Sequence, residues 1–496
     1  QVLQPFSLFF FSYAISIVES PLLHLRYIPV QWMASIVVVH NIAGNLVYGP
    51  VEFQRPLVAM QLYQILKTTV PVVPESFKLL HDTRILTGPE LLTGSGSGGD
   101  NTLRLSIVYY APSFCVVSWG EPDFGGDSSA VAEDLRDGVL SLASTSLAFA
   151  AIKEDGRVVV WGSEAAGGEM GAAVTERLAA AESLVTTVVG NDAAFAALLR
   201  SGEVICWGSE RAGADTSMVR SQLQSGIVQL AGSSQAFAAL TVGGQAFSWG
   251  SEAHGGASWR VADRLAEGIV ALASNSMAFC GIRSTGEVVC WGNPLHGGHP
   301  IGVEYELSWG VRSISSTSSA FAALKEGGRV VSWGSSEGGG DSRAVAARLS
   351  SGVVSIVGNS TAFAAVRKHG EVVTWGSHRA GGDSRSVAAH LATGVVTIAA
   401  TASAFAALRQ DGSVITWGDP RCGGDSSLVA KELTHEVKSI FSTQGAFAAL
   451  KEGGQVVSWG RAAAGGDQGS ARNSLSSGIL TLKGNHAAFA ALKEVT

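Results

Sequence analysis

Three histidines, His254, His296 and His299, fall in neighbouring loops, and imidazole clusters are raw material for a metal centre. His254 and His296 are 42 residues apart, one full period of the repeat described below. They therefore belong to different units, and the reading is exposed loop histidines with no metal. Five cysteines (115, 206, 280, 290 and 422) form no Cys-x-x-Cys pair. Cys206 and Cys290 each precede a tryptophan where other copies carry Ser, Thr or Val. The expectation is small, half-buried residues of a reduced compartment, not a disulfide frame or a zinc site. A Gly-Gly-Asp set recurs at Asp127, Asp341, Asp383, Asp425 and Asp467. Calcium β-rolls repeat such turns about every nine residues, so these aspartates read as helix caps. A row of tryptophans could serve a chromophore, but one strand position shared by every copy is what core packing requires. Within the repeats, only Trp259 and Trp309 stand outside that row. There is no phosphate loop, nucleophile elbow or His-Glu-x-x-His. The expectation is a protein without catalysis, cofactor or metal.

The elements that must position these residues come from one repeated stretch. Trp-Gly pairs begin at Trp119, Trp161, Trp207, Trp249, Trp291, Trp333, Trp375, Trp417 and Trp459, every 42 residues except for one spacing of 46. Eight of the nine have a phenylalanine twelve positions upstream, from Phe149 to Phe447. So strict a period means one supersecondary unit copied in tandem. In the unit from Gly352 to Gly394, Val353 to Val357 is β-branched and alternating, a first strand. Ala362 to Arg367 is a second strand, Lys368-His369-Gly370 a hairpin turn with a glycine for positive φ, and Glu371 to Trp375 a third strand. After the Trp-Gly comes a variable loop, then one or two helical turns capped by Asp or Ser. The last copy, with Ile479 to Leu482 and Ala487 to Leu492, stops before its Trp-Gly strand, and the first copy has only that strand, Cys115 to Trp119. Together they complete one unit, which closes a ring and removes exposed edges.

Ahead of the repeats, Pro5 to Val18 is a Phe-rich apolar run, shorter than the ~20 residues that span a bilayer. No Lys or Arg precedes it, as a signal peptide would need. The chain opens on Gln, so Met33 is the expected start and residues 1–32 a disordered or spurious lead, with a truncated signal or anchor as the rival reading. Residues 33–110 then read as an α+β unit. Ser35 to Val39 and Leu46 to Phe53 are strands, Pro56 opens a helix through Leu66, and Phe77 to Leu80, Arg84 to Leu86 and Leu103 to Tyr109 are further strands.

The apolar strand, the Ala-Phe-Ala-Ala-Leu strand, the Asp/Gly-Gly turn and Val-Val-x-Trp-Gly, over residues 111–496, resemble the RCC1-type β-propeller repeat. The short three-stranded form is similar to the RCC1/BLIP-II superfamily and to HERC-type chains, here without a downstream ligase domain. Familiar members have seven blades and carry a His early in the second strand, where this chain has Ala-Phe. Lys78-Leu79-Leu80-His81-Asp82-Thr83-Arg84-Ile85-Leu86 and Asn101-Thr102-Leu103-Arg104-Leu105 resemble a ubiquitin-like domain, without a terminal Gly-Gly. That resemblance implies a hydrophobic patch at Leu80, although Ser106 stands where the fifth strand normally offers an aliphatic residue. The fold class expected is therefore mainly β: a closed propeller of about nine three-stranded RCC1-like blades behind an N-terminal α+β, β-grasp domain.

The net charge of -7 and pI near 5.9 exclude a basic nucleic-acid surface. What varies on the fixed scaffold is the set of loops at one rim, where propellers bind partners. The candidate partner-binding residues are Phe124, Arg211, His254, Trp259, His296, Tyr305, Trp309, Arg379 and Arg421. The expectation is a monomeric, non-catalytic protein-interaction scaffold of the cytoplasm or nucleus, linked to ubiquitin signalling, with no membrane or nucleic-acid partner. The alternative is a guanine-nucleotide exchange factor for a small GTPase, as the RCC1 resemblance implies.

Overall fold

Valine, isoleucine and alanine around one large aromatic make the repeat's strands, and glycine ends them. The computed structural model describes residues 35–41, 46–53, 57–58, 77–81, 84–85, 91–92, 102–109, 113–181 and 183–495. The lead 1–32 and the end of the expected helix, from residue 59 on, lie outside the described residues. The chain divides into two compact units, Gln1–Ala111 and Pro112–Thr496.

In the first unit the strands are β1 (Ser35–Asn41), β2 (Leu46–Phe53), β3 (Leu57–Val58), β4 (Phe77–His81), β5 (Arg84–Ile85), β6 (Leu91–Leu92) and β7 (Thr102–Tyr109). They form a five-stranded sheet in the order β2-β1-β7-β4-β5 and a separate β3-β6 pair. The pair β1/β7 is parallel, and β1/β2 and β4/β7 are antiparallel. Leu80 is in β4, in register with Ser106 of β7 and Ile85 of β5. A helix opening at Pro56 is corrected here. Leu57–Val58 is extended and pairs with Leu91–Leu92, because two apolar residues there find a strand partner that helical periodicity cannot reveal.

The second unit contains nine three-stranded antiparallel sheets. In sheet 1, β9 (Val139–Ser144), β10 (Ala148–Lys153) and β11 (Val158–Gly162) pair with the second strand in the middle. Sheet 9 is built from both ends of the repeat region. Ile479–Gly484 pairs with Ala488–Glu494, which pairs with β8 (Phe114–Gly120) over seven residue pairs, Ala488↔Gly120 to Glu494↔Phe114. Phe489 thus stands opposite Trp119, as Phe149 stands opposite Trp161.

Each Phe is fully buried and stacks on its cross-strand Trp, with ring centroids 4.9 Å apart at Phe489/Trp119 and 5.6 Å at Phe237/Trp249. The small Ala neighbours let adjacent sheets approach, and each core is shared between two sheets. Ala404, Ala406 and Leu408 of sheet 7 pack with Phe447, Ala449 and Trp459 of sheet 8. The indole N–H of each tryptophan crosses the same interface. Trp161 donates to the Gly125 carbonyl at 2.9 Å, Trp417 to Gly381 at 2.9 Å, and Trp119 to Gly465 at 2.9 Å. This confirms the tryptophan row as architecture.

First strands contact first strands from sheet to sheet, and Ile479–Gly484 of sheet 9 contacts β9 of sheet 1. Where this strand ends, close approach demands glycine. A Cβ on Gly190, Gly358 or Gly484 would lie 2.1 Å from the carbonyl oxygen of the preceding sheet. Where Ser stands instead, its hydroxyl bonds to that sheet's backbone, as from Ser274 to Gly232 at 2.7 Å.

One cysteine expectation is overturned. Cys280 and Cys290 are directly opposed on the second and third strands of sheet 4 and form a disulfide. Cys115, Cys206 and Cys422 are free. Burial pushes the Cys206 thiol up to about 12, which makes it an inert packing group.

Candidate functional site

The segments that vary follow the Trp-Gly pairs. The glycine ending each third strand has positive φ (Gly208, 102°; Gly376, 97°), which turns the chain sharply into a short 3₁₀ turn. The next turn is held by the Gly-Gly-Asp aspartate. Asp127, Asp341, Asp383, Asp425 and Asp467 each accept the backbone N–H two residues on, at 2.9–3.1 Å. The capping expectation is corrected: the aspartates stand one residue before the N-cap, whose own side chain makes no cap bond, so they close Asx turns and not helix caps. Asp341 and Asp383 also take bidentate ion pairs from Arg343 and Arg385. Those guanidinium hydrogen bonds draw both carboxyls down to about 2.

The nine predicted rim residues do not form one site. Phe124 is half-buried against the core shared by sheets 9 and 1, and its carbonyl accepts the Asn485 amide at 2.6 Å. It is a packing residue, because the turn after Gly120 folds its ring inward. His254 Nδ1 pairs with Ser251 Oγ at 2.9 Å, whereas His296 Nδ1 is buried without a partner. Among the described residues no group of three His, Cys, Asp or Glu side chains is disposed to hold a metal. Arg211 and Arg379 are exposed, and Arg421 is exposed but paired with Asp419 at 2.8 Å. Tyr305 and Trp309 belong to the opposite end of sheet 5. Trp309 sits just before the first strand of that sheet and beneath the Lys325 ammonium, 4.1 Å from its ring centroid, beside the hairpin joining the second and third strands.

Among the described residues the large exposed aromatics fall between residues 259 and 309, whereas exposed aliphatic side chains such as Leu140, Val354, Val396, Leu428 and Leu480 are spread around the repeats. Trp259 is 66% exposed, Tyr305 82% and Trp309 55%, and Met218, Val242, Leu295 and Ile301 are exposed within residues 218–309.

Sequence reasoning missed the inner turns. Four residues before each phenylalanine stands a Thr, Asn or Ser, from Thr145 to Asn485, and every one is buried. Asn359 accepts the Ala362 N–H at 2.8 Å and donates to the Ala380 carbonyl at 2.6 Å, tying the inner turn to the loop after Trp-Gly. Thr401 does the same with Ala404 and Cys422. The fixed spacing was the available signal. In eight of the nine sheets the next residue of the turn bonds to its counterpart in the following sheet, Ser276 of sheet 4 being the exception. Ser146 N–H donates to the Asp192 carbonyl (3.2 Å), Asp192 to Ser234 (3.1 Å), Ser360 to Ala402 (3.2 Å), Gln444 to His486 (3.1 Å), and His486 back to Ser146 (3.2 Å). All nine sheets contribute to the cavity of about 460 Å³ that these turns surround. Within it, Ser146 Oγ donates to Asp192 Oδ1 (3.0 Å) and lies 2.7 Å from His486 Nε2. Burial pushes the His486 imidazole below its ordinary value, against the pull of the Asp192 charge. These side chains form a polar clasp between sheets 9, 1 and 2.

No protein-family model matches the chain, and neither does any curated protein. Among solved structures, the chain is similar to the receptor kinase CR4 ectodomain from Physcomitrella patens. Identity is 18%, with 57% of this chain and 73% of that one covered, at a TM-score of 0.35. It is similar to Prp20p from Saccharomyces cerevisiae, with 16% identity, 78% and 93% coverage and a TM-score of 0.40. A third similarity is to yeast RCC1 (Prp20) bound to Kap60, with 14% identity, 78% and 90% coverage and a TM-score of 0.39. The architecture rests on this chain's own strand pairing, nine three-stranded antiparallel sheets.

Proposed function

We propose that residues 112–496 form a closed nine-bladed propeller that binds protein partners without catalysis, through the sector of sheets 3–5. Closure is supported by the return of both first-strand contacts and inner-turn hydrogen bonds from sheet 9 to sheet 1. The observation that carries the functional reading is the confinement of exposed aromatics to this sector, since buried aromatics are the usual anchors of protein interfaces. For residues 33–110, a parallel β1/β7 pair inside the order β2-β1-β7-β4-β5 supports the ubiquitin-like reading, with Leu80 as its candidate patch.

The test is recovery of partners by the full chain and by a Tyr305→Ala/Trp309→Ala variant, with Arg379→Ala/Arg421→Ala as the control on the other side of the ring. The first variant is expected to lose its partners while its melting temperature holds, and the control to keep them. Retention of every partner by the first variant refutes the sector. Accelerated nucleotide release from a small GTPase panel refutes the purely non-catalytic reading and favours exchange.

A further inference from the structure

The nine copies act as internal controls for one another, and at sheet 3 several departures from the pattern converge on one groove. In sheets 1, 2, 4, 5 and 6 the connector is tied to the start of the third strand by an ion pair of either polarity, such as Arg264–Glu287 at 2.8 Å and Glu306–Arg329 at 2.7 Å. At sheet 3 the same two positions are Gln222 and Gln245. Two residues before the tryptophan, every other copy has Val or Ile, and sheet 3 has Phe247. In the following turn the Gly-Gly-Asp aspartate is replaced by Ala257, and Trp259 stands where other copies with this turn carry Ser, Arg or Gly. All of these line one groove of about 790 Å³, together with Met218 and Arg211. The equivalent groove of sheet 9, about 730 Å³, is lined chiefly by serine, glycine and alanine. The space is common to the repeat, whereas the lining of sheet 3 is its own.

We propose that this groove binds a short, neutral oligosaccharide, with Trp259 as the stacking platform and Gln222 and Gln245 as hydroxyl-binding residues. The Arg260 guanidinium lies 4.9 Å from the Trp259 ring centroid, bracing one face of the indole and leaving the other for a ligand. A pyranose presents a C–H face suited to that ring, and its hydroxyls match primary amides, which donate and accept together. Among the described residues no protein group bonds to the side-chain amides of Gln222 or Gln245, so both remain available. The volume falls within the ~300–1,000 Å³ of small-ligand sites. The charges around the groove offset one another, Glu210 and Asp215 (the latter held below the usual carboxylate range by the Ser217 N–H) against Arg211 and Arg260, which suits a neutral sugar. This assignment is independent of any protein partner.

The experiment is calorimetric titration of the full chain with neutral cello-, malto-, xylo- and chito-oligosaccharides, a heparin oligosaccharide and an uncharged Trp-containing peptide. Binding of at least one neutral series is expected, weakened about tenfold or more by Trp259→Ala. The decisive variant is Gln222→Arg/Gln245→Glu, which installs the ion pair of sheet 4. It is expected to keep or raise the melting temperature and to abolish sugar binding, which separates recognition from folding. Ser129→Ala in the sheet 9 groove is expected to change nothing. The proposal is overturned if no neutral oligosaccharide binds, if binding survives the ion-pair variant, or if heparin or the peptide binds in preference.

Discussion

At the level of single residues, the repeat uses side chains to join strands that its backbone cannot reach. Asn359 satisfies two N–H groups of its own turn and one carbonyl of another loop, and leaving such buried groups unpaired would cost about 1–3 kcal/mol each. The inner ring holds two titratable groups, Asp192 and His486, and burial shifts the imidazole. Ser146 spends its single proton on Asp192, so the neutral imidazole donates from Nε2 to Ser146 Oγ. Burial keeps its folded value below 6.5, so between the folded and unfolded values the unfolded chain binds more protons. Stability therefore falls as the pH drops through 6.5, and the penalty is complete below the folded value. His486→Gln, which retains a donor, is expected to flatten the melting-temperature profile over that window. An unchanged slope would remove His486 from the account. None of this clasp was legible in the sequence, because His486 comes next to Ser146 only once the two ends of the repeat region meet.

At the level of elements, the strands and hairpins were legible because their residue pattern repeats nine times, and the boundary residues Gly and Trp recur with it. The register was equally legible and went partly unused. If Phe279 opposes Trp291, then Cys280 must oppose Cys290, and that pairing brings two thiols together whatever the cysteine count suggests. Other copies hold Ala at the first of these positions and Ser, Thr, Val or the unpaired Cys206 at the second, so the bridge is an addition to a hairpin that forms without it. An unfolded, unreduced chain is expected to titrate three thiols, and a reduced chain all five. Cys280→Ala/Cys290→Ser is expected to cost no more than the ~2–3 kcal/mol of a ten-residue loop constraint, read from denaturation midpoints. Five titratable thiols before reduction would rule out the bridge. The groove at sheet 3 was hidden for the opposite reason: its residues are exceptions, scattered from Arg211 to Trp259, and only the fold gathers them.

At the level of the whole molecule, the tryptophans measure whether the ring is closed. In an open array the terminal sheet has a neighbour on one side only and frays, as end repeats do. A side chain there adds little to the stability of the rest. In a closed ring no sheet is terminal, and Trp119 is buried to 4%, donates to Gly465 and stacks on Phe489 much as Trp375 donates to Gly339 and stacks on Phe363. Trp119→Ala and Trp375→Ala should then each cost about 3–5 kcal/mol, measured by chemical denaturation. Deletion of residues 114–120 should cost more than either, because it leaves Ala488–Glu494 as an unpaired edge and strips the cover from Phe489. A Trp119→Ala cost well below that of Trp375→Ala would mean that β8 is a loosely held end, and that the nine sheets form an array open between sheets 9 and 1.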